Sequence, residues 1–185
     1  MSGDPSLERV PAWNGPTTMR DGASVVVRPL RADDVERDQL FINSLSDDSR
    51  HKRFFRRFTS VPPELLARLM DVDYDKSMAL VAVLEGATGE QFIGVAQYGS
   101  TEREHVADFA VAVLDAWQKR GIASVLVSAL MSFALNHGFT QFVGDVLPDN
   151  EGMLKLARGL RFDVSYDANA DLMHIAKELS SAGLS

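Results

Sequence analysis

An α+β fold is what this sequence predicts, and three observations predict it. Apolar runs at 78–84 and 91–98 read as a hairpin that turns through 86–90. A buried-strand run at 109–115 passes into a long helical run that stops near Gly138. Helical segments stand both before the hairpin and after it, so strands and helices are grouped rather than strictly alternating.

The elements follow in order. A strand at 24–29 opens the fold, and a helix begins near Asp33 or Asp34, with Val35, Leu40, Phe41 and Leu45 as its apolar stripe. SDDSRHKRFFRRF supplies a second helical segment. PPELLARLMDV supplies a third, with Pro62 and Pro63 at its start, where a missing N–H costs nothing. After the hairpin, 108–114 continues the sheet and GIASVLVSALMSFALNHG forms the central helix. A strand at 141–146, a helix at 150–159 and two short strands at 162–166 and 171–177 complete the chain. Residues 1–19, rich in Pro, Gly, Ser and Asn, are expected to be a flexible arm that packs loosely through Trp13. Residues 20–180 are expected to be a single domain.

Composition narrows the function. A chain of 185 residues, 45% apolar and 24% charged, has the size and balance of one domain with a full core. It contains no apolar run of about 18 residues and no basic-then-apolar start, so neither a membrane partner nor a secretory signal is expected, and a cytoplasmic location follows. The absence of cysteine excludes disulfides, thiolate metal ligands and an acyl-cysteine intermediate, and no metal is expected. A net charge of −7 argues against general nucleic-acid binding and suits a cationic partner.

The stretch WQKRGIASVL, 117–126, places Gln118, Gly121 and Ala123 where strand gives way to helix. The first turn of a helix leaves backbone N–H groups unpartnered at the positive end of the macrodipole, and Gly121 and Ala123 let a pyrophosphate approach them closely. This Gln-x-x-Gly-x-Ala pattern resembles the acetyl-CoA-binding loop of the GNAT N-acetyltransferase superfamily. LPDNEGMLKLARGLRF, 147–162, looks like that superfamily's second signature, an Asn after a strand followed by a short helix. SRHKRFFRRF and the run Asp108-Phe109-Ala110-Val111 are similar to segments of bacterial protein lysine acetyltransferases, which extends the resemblance over most of the chain from about Val25.

The resemblance implies the GNAT fold, a central mixed and mostly antiparallel sheet flanked by helices. It also implies an acetyl-CoA-dependent N-acetyltransferase acting directly on an amine. By position, the strand of Val111 and Val113 faces the pantetheine, and the backbone of Lys119, Arg120, Gly121, Ile122 and Ala123, in the loop that starts at Gln118, holds the pyrophosphate. The side chains of Lys119 and Arg120 either add charge near the phosphates or are solvated loop residues. Asn150 matches the Asn that contacts the pantetheine arm, while Asp149 or Asn150 is also an N-cap for the following helix.

Asp108 stands where the lysine acetyltransferases carry Glu, one methylene longer, and is the candidate general base; Glu104 and His105 are the substitutes. Ala157 replaces the Tyr that many members use to protonate the thiolate, and Arg161 replaces a Gly, which calls for positive φ. The basic run of Arg50, Lys52, Arg53, Arg56 and Arg57, interleaved with Phe54, Phe55 and Phe58, reads as a helix with its aromatics in the core and its cations in water. The acceptor is expected to be a protein lysine. The alternatives are a small amine, or a catalytically silent acyl-CoA sensor; a homodimer is left open.

Overall fold

The computed structural model describes residues 16–19, 22, 24–86 and 89–180. In chain order they form β1 (Pro16–Thr18), β2 (Ser24–Pro29), α1 (Val35–Ser44), α2 (Asp47–Phe54) and α3 (Pro63–Met70). The hairpin β3 (Ser77–Gly86) and β4 (Gly89–Ser100) follows, then β5 (Val106–Val113) and α4 (Ile122–Asn136). The chain closes with β6 (Gln141–Val146), α5 (Glu151–Gly159), β7 (Asp163–Asp167) and β8 (Leu172–Glu178). The eight strands make one sheet in the order β1-β2-β3-β4-β5-β6-β8-β7. Every neighbouring pair is antiparallel except β5 and β6, which run parallel. This is the mixed, mostly antiparallel sheet that the sequence implied.

Both faces of the sheet are covered, which is why β3 and β4 read as nearly continuous apolar runs rather than as a clean alternation. Met78, Leu80 and Ala82 point to a core built with Leu126, Leu130 and Phe133 of α4. Their neighbours Ala79, Val81 and Val83 point to a second core with Phe41 and Ile42 of α1 and Leu65 and Leu69 of α3. The pairing of β3 with β4 slips between Ala82 and Val83, leaving Ile93 as the extra residue of a bulge. Beside it, a Cβ on Gly94 would stand 3.0 Å from Ile122 and 3.1 Å from Leu126, so glycine lets the start of α4 settle onto the sheet.

Three expectations differ from the structure. Within the stretch read as a flexible arm, Pro16–Thr18 pair with Ser24–Val26 as an edge strand and Met19 is buried in the core; Trp13 lies outside the described residues. Of the expected stripe, Phe41 and Leu45 are buried, but Val35 and Leu40 are exposed and Ile42 is buried alongside Phe41. In the basic segment the division into apolar-in and cation-out fails at two places. Arg50 is buried and donates to the Thr59 carbonyl and Asp47, while Phe55 takes a left-handed conformation at the end of α2 (φ 56°) and is exposed. The helix ends there, so Phe55 leaves the apolar face.

A buried ion network ties β2 to α1. The Arg28 guanidinium donates to both oxygens of Asp34 at 2.7 and 2.9 Å and to Glu90 across the sheet, while Arg37 reaches Asp34 at 3.0 Å. Burial alone would raise the Asp34 pKa, but hydrogen bonds from Arg28 and the Arg31 N–H outweigh it and hold the carboxyl below its usual value. Its stabilisation is therefore present above the unfolded carboxylate pKa and is lost as pH falls through the lower folded value. Asp34→Ala leaves Arg28 buried without its main partner and is expected to cost about 3–5 kcal/mol, read as an earlier midpoint in urea unfolding.

Candidate functional site

The turn between β5 and α4 is held from three sides. A 3-10 turn, Asp115–Trp117, leads into Gln118, whose side chain donates to the Val113 carbonyl at 3.1 Å and to Ser49 Oγ at 3.2 Å. Asp115 accepts from Ser46 N and Oγ and from Ser49 Oγ at the start of α2. Burial works to raise the Asp115 pKa, yet these bonds hold it below the ordinary range. Gln118 is thus a loop staple by its side chain, and the sequence offered no signal for its partner Ser49 or for Asp115.

Beyond the staple the backbone turns sharply. Lys119 has φ 63° and Gly121 φ 95°, both left-handed, and the glycine is the N-cap of α4 with no side-chain cap. The first N–H groups of α4, from Ile122 and Ala123 onward, lack intrahelical partners, and a Cβ built on Gly121 would meet nothing within 4 Å. An open, uncapped N-terminus of a 15-residue helix presents the partial positive charge that suits an anion. The Arg120 guanidinium stacks on Trp117 at 4.6 Å, and the Lys119 side chain is exposed.

From this turn a fork opens back through the sheet. β5 pairs with β6 only over Val106–Asp108, although it stays paired with β4 from Ala107 to Val113. Beyond Asp108 the pairing with β6 stops, so the β6-facing backbone of Val111 and the Val113 N–H have no strand partner, and an extended amide-bearing chain can complete them. The base of the fork is wedged by rings: Phe109 stacks on Phe142 at 4.6 Å and contacts Phe162 at 5.4 Å. Gly144 sits at the point of divergence, where a Cβ would stand 3.2 Å from the Phe109 carbonyl oxygen.

At the base of the fork, on the face away from α4, lies Asp108. Its neighbours in charge are Asp145 on β6, Arg53 on α2 and His174 on β8. Partial loss of hydration and the Asp145 charge raise the Asp108 pKa, against the opposing Arg53 and His174. His174 Nδ1 lies 3.0 Å from Asp145 Oδ1. A solvent-reachable carboxylate with a raised pKa at the base of the fork is suited to accept a proton. The structure does not bring Glu104 and His105 into this group. Both are exposed in the turn before β5, 3.4 Å from each other, and His105 Nδ1 faces the Gly138 carbonyl behind the end of α4. Asp145, His174 and Arg53 were not legible as site residues because strand register and helix docking, rather than local spacing, bring them together.

Asn150 caps α5, its Oδ1 accepting from Met153 N at 3.1 Å. Ala157 is buried in the core under α5, so the place where the resembling proteins carry a phenol is here a packed position. Arg161 has the positive φ, 61°, that its replacement of glycine called for. Among the described residues, no group of three or more His, Asp or Glu side chains is placed to hold a metal, and no helix is long and apolar enough to cross a membrane.

A model of the acetyltransferase (GNAT) family matches residues 42–162. The chain belongs to this family. It is 36% identical over 145 residues to an acetyltransferase of Pseudomonas aeruginosa, covering 78% of each protein. It is 33% identical over 144 residues to Acetyltransferase Pat of Mycolicibacterium smegmatis, covering 76% of this chain and 42% of Pat, so it spans less than half of that relative. Among solved structures, the GNAT domain of S. lividans PAT superposes with a TM-score of 0.83 at 28% identity, over 91% of this chain and 99% of that one. As a GNAT protein with relatives named acetyltransferases, the chain is an N-acetyltransferase.

Proposed function

We propose that this GNAT protein takes acetyl-CoA as cosubstrate and transfers its acetyl group directly to an amine, specifically a lysine side chain of another protein. The fork carries the reading: the uncapped start of α4 lies beyond the Val113 end of the unpaired β5 edge, and Asp108 stands at its other end. The N–H groups of Lys119, Arg120, Gly121, Ile122 and Ala123 hold the pyrophosphate, and the open edge through Val111 and Val113 pairs with the pantetheine arm. Asn150, whose oxygen is engaged in capping, has its amide nitrogen for the same arm. When bound, acetyl-CoA supplies the activated thioester carbonyl and a thiolate leaving group.

Asp108 accepts a proton from the incoming ammonium, directly or through one water, so that the neutral amine can attack the carbonyl carbon. With Ala157 in the core, solvent protonates the departing thiolate, which leaves readily because thiol pKa values lie near 8.5. Asp108 and Asp145 are solvent-facing rather than enclosed. A lysine carried on a folded partner can reach them, and the negative charge at the mouth favours a cation. Incubation with labelled acetyl-CoA and a panel of proteins and small amines tests the reading. Label on protein lysine is expected; label only on small amines makes it a small-molecule enzyme, and binding without turnover makes it a sensor.

A further inference from the structure

Asp38 stands within α1 at 3% exposure and forms no hydrogen bond or close ion pair with any described residue. Buried carboxylates are nearly always paired, because an unpartnered one forfeits its hydration. The charge that faces it is Arg53 of α2, which borders the same space of about 10 Å³, room for one water, between packed core side chains. Arg53 in turn interacts electrostatically with two carboxyls, Asp38 and Asp108. It is hydrogen-bonded to neither, and instead stacks on Phe54 at 4.7 Å.

Each of the three groups is set by a different element. Asp38 comes from α1 and Asp108 from β5, while α2, fastened to Asp115 through Ser46 and Ser49, carries Arg53. Ala112 borders the same space, and Asp108, Ala110 and Ala112 share one face of β5, with successive residues on that face about 7 Å apart. Other charges also bear on them: Asp145 of β6 and His174 of β8 on Asp108, Arg68 of α3 on Arg53, and Asp34 on Asp38. Burial pushes Asp38 up to about 6 and Arg53 down to about 10, so at neutral pH both are mainly charged.

We propose that Asp38 is a positioning residue for the proton acceptor: it holds the Arg53 guanidinium toward α1 and so keeps it from closing an ion pair with Asp108. The assignment rests on the reading of Asp108 as the base. A guanidinium bonded to that carboxylate would occupy its oxygens and lower its affinity for a proton, because an adjacent cation favours the charged form. Two carboxylates compete for one cation, and the buried one keeps the other free to react.

The carboxyl-carbon NMR resonance of Asp108, followed through a pH titration of the full chain, tests this without turnover. Asp38→Asn should lower the Asp108 midpoint by about one pH unit or more, because Arg53 then turns to Asp108. In the Arg53→Met background the same substitution should move that midpoint by less than about 0.3 pH unit, since the cation it positions is gone. Equal shifts in the two backgrounds would mean that Asp38 acts by its own charge alone, and no shift in either that it does not act on the base. Both results overturn the proposal. Should Asp38→Asn not fold, Arg53→Met decides it against the wild type: the Asp108 midpoint should rise, and an unmoved midpoint refutes the positioning. The titration needs no acceptor, so its failure refutes the positioning alone, whereas unchanged turnover in Asp108→Asn refutes the base reading alone.

Discussion

Asp108→Asn is expected to lower turnover on an amine acceptor by roughly 10²-fold or more, while acetyl-CoA affinity stays within a few-fold. The carboxamide keeps the shape but cannot take the proton. Because the Asp108 pKa is raised by desolvation and by Asp145, the acid limb of kcat/KM should lie above the ordinary carboxylate range. Asp145→Asn removes one of the two causes, so that limb should move to lower pH in this variant. Stability should run the other way from activity. A carboxyl with a raised folded pKa contributes stability below its unfolded pKa and loses it as pH rises through the folded value. At pH 7 and above, ionised Asp108 is therefore a cost to the fold, and Asp108→Asn should melt no lower than the wild type. Unchanged turnover in the folded variant would show that Asp108 is not the base, and water would remain as the acceptor of the proton.

Much of this architecture is legible in the sequence because its signals are local. The hairpin, the long apolar helix ending at Gly138 and the loop at Gly121 each rest on residues within one or two turns of each other, and all three stand where the sequence puts them. The apolar stripe of α1 is half legible for a related reason. Phe41 and Leu45 are buried as their spacing suggests, but Val35 and Leu40 turn to solvent and Ile42 joins the face that docks on the sheet. Tertiary packing sets which apolar residues of one short helix are covered, and periodicity alone does not. The groups around Asp108 are further still from local reasoning. Asp145 meets His174 only through the register of β6 with β8, and Arg53 enters through the docking of α2. An isolated Asp in a strand carries no mark of that company, which is why Glu104 and His105, adjacent in sequence, stood in as substitutes.

Gly121→Glu is the second large effect expected, a loss of acetyl-CoA affinity of at least tenfold, about 1.4 kcal/mol, in calorimetric titration. Two separable causes act at this position. The backbone sits at φ 95°, so any side chain adds strain of about 1–2 kcal/mol to the folded turn, felt mainly as stability. The side chain itself projects into space that the protein leaves open, since a Cβ there meets no atom within 4 Å. In the proposed complex that space belongs to the pyrophosphate, and a carboxylate placed in it repels the phosphate charge and competes with it for the N-terminal dipole of α4. Gly121→Ala isolates the first cause: it is expected to lower the melting temperature about as much as Gly121→Glu while losing less affinity. The excess loss in the glutamate variant should shrink as salt is raised, because added ions screen like-charge repulsion but leave backbone strain unchanged. If both variants lose the same affinity at every salt concentration, the turn acts through its backbone shape alone and the anion does not lie against Gly121.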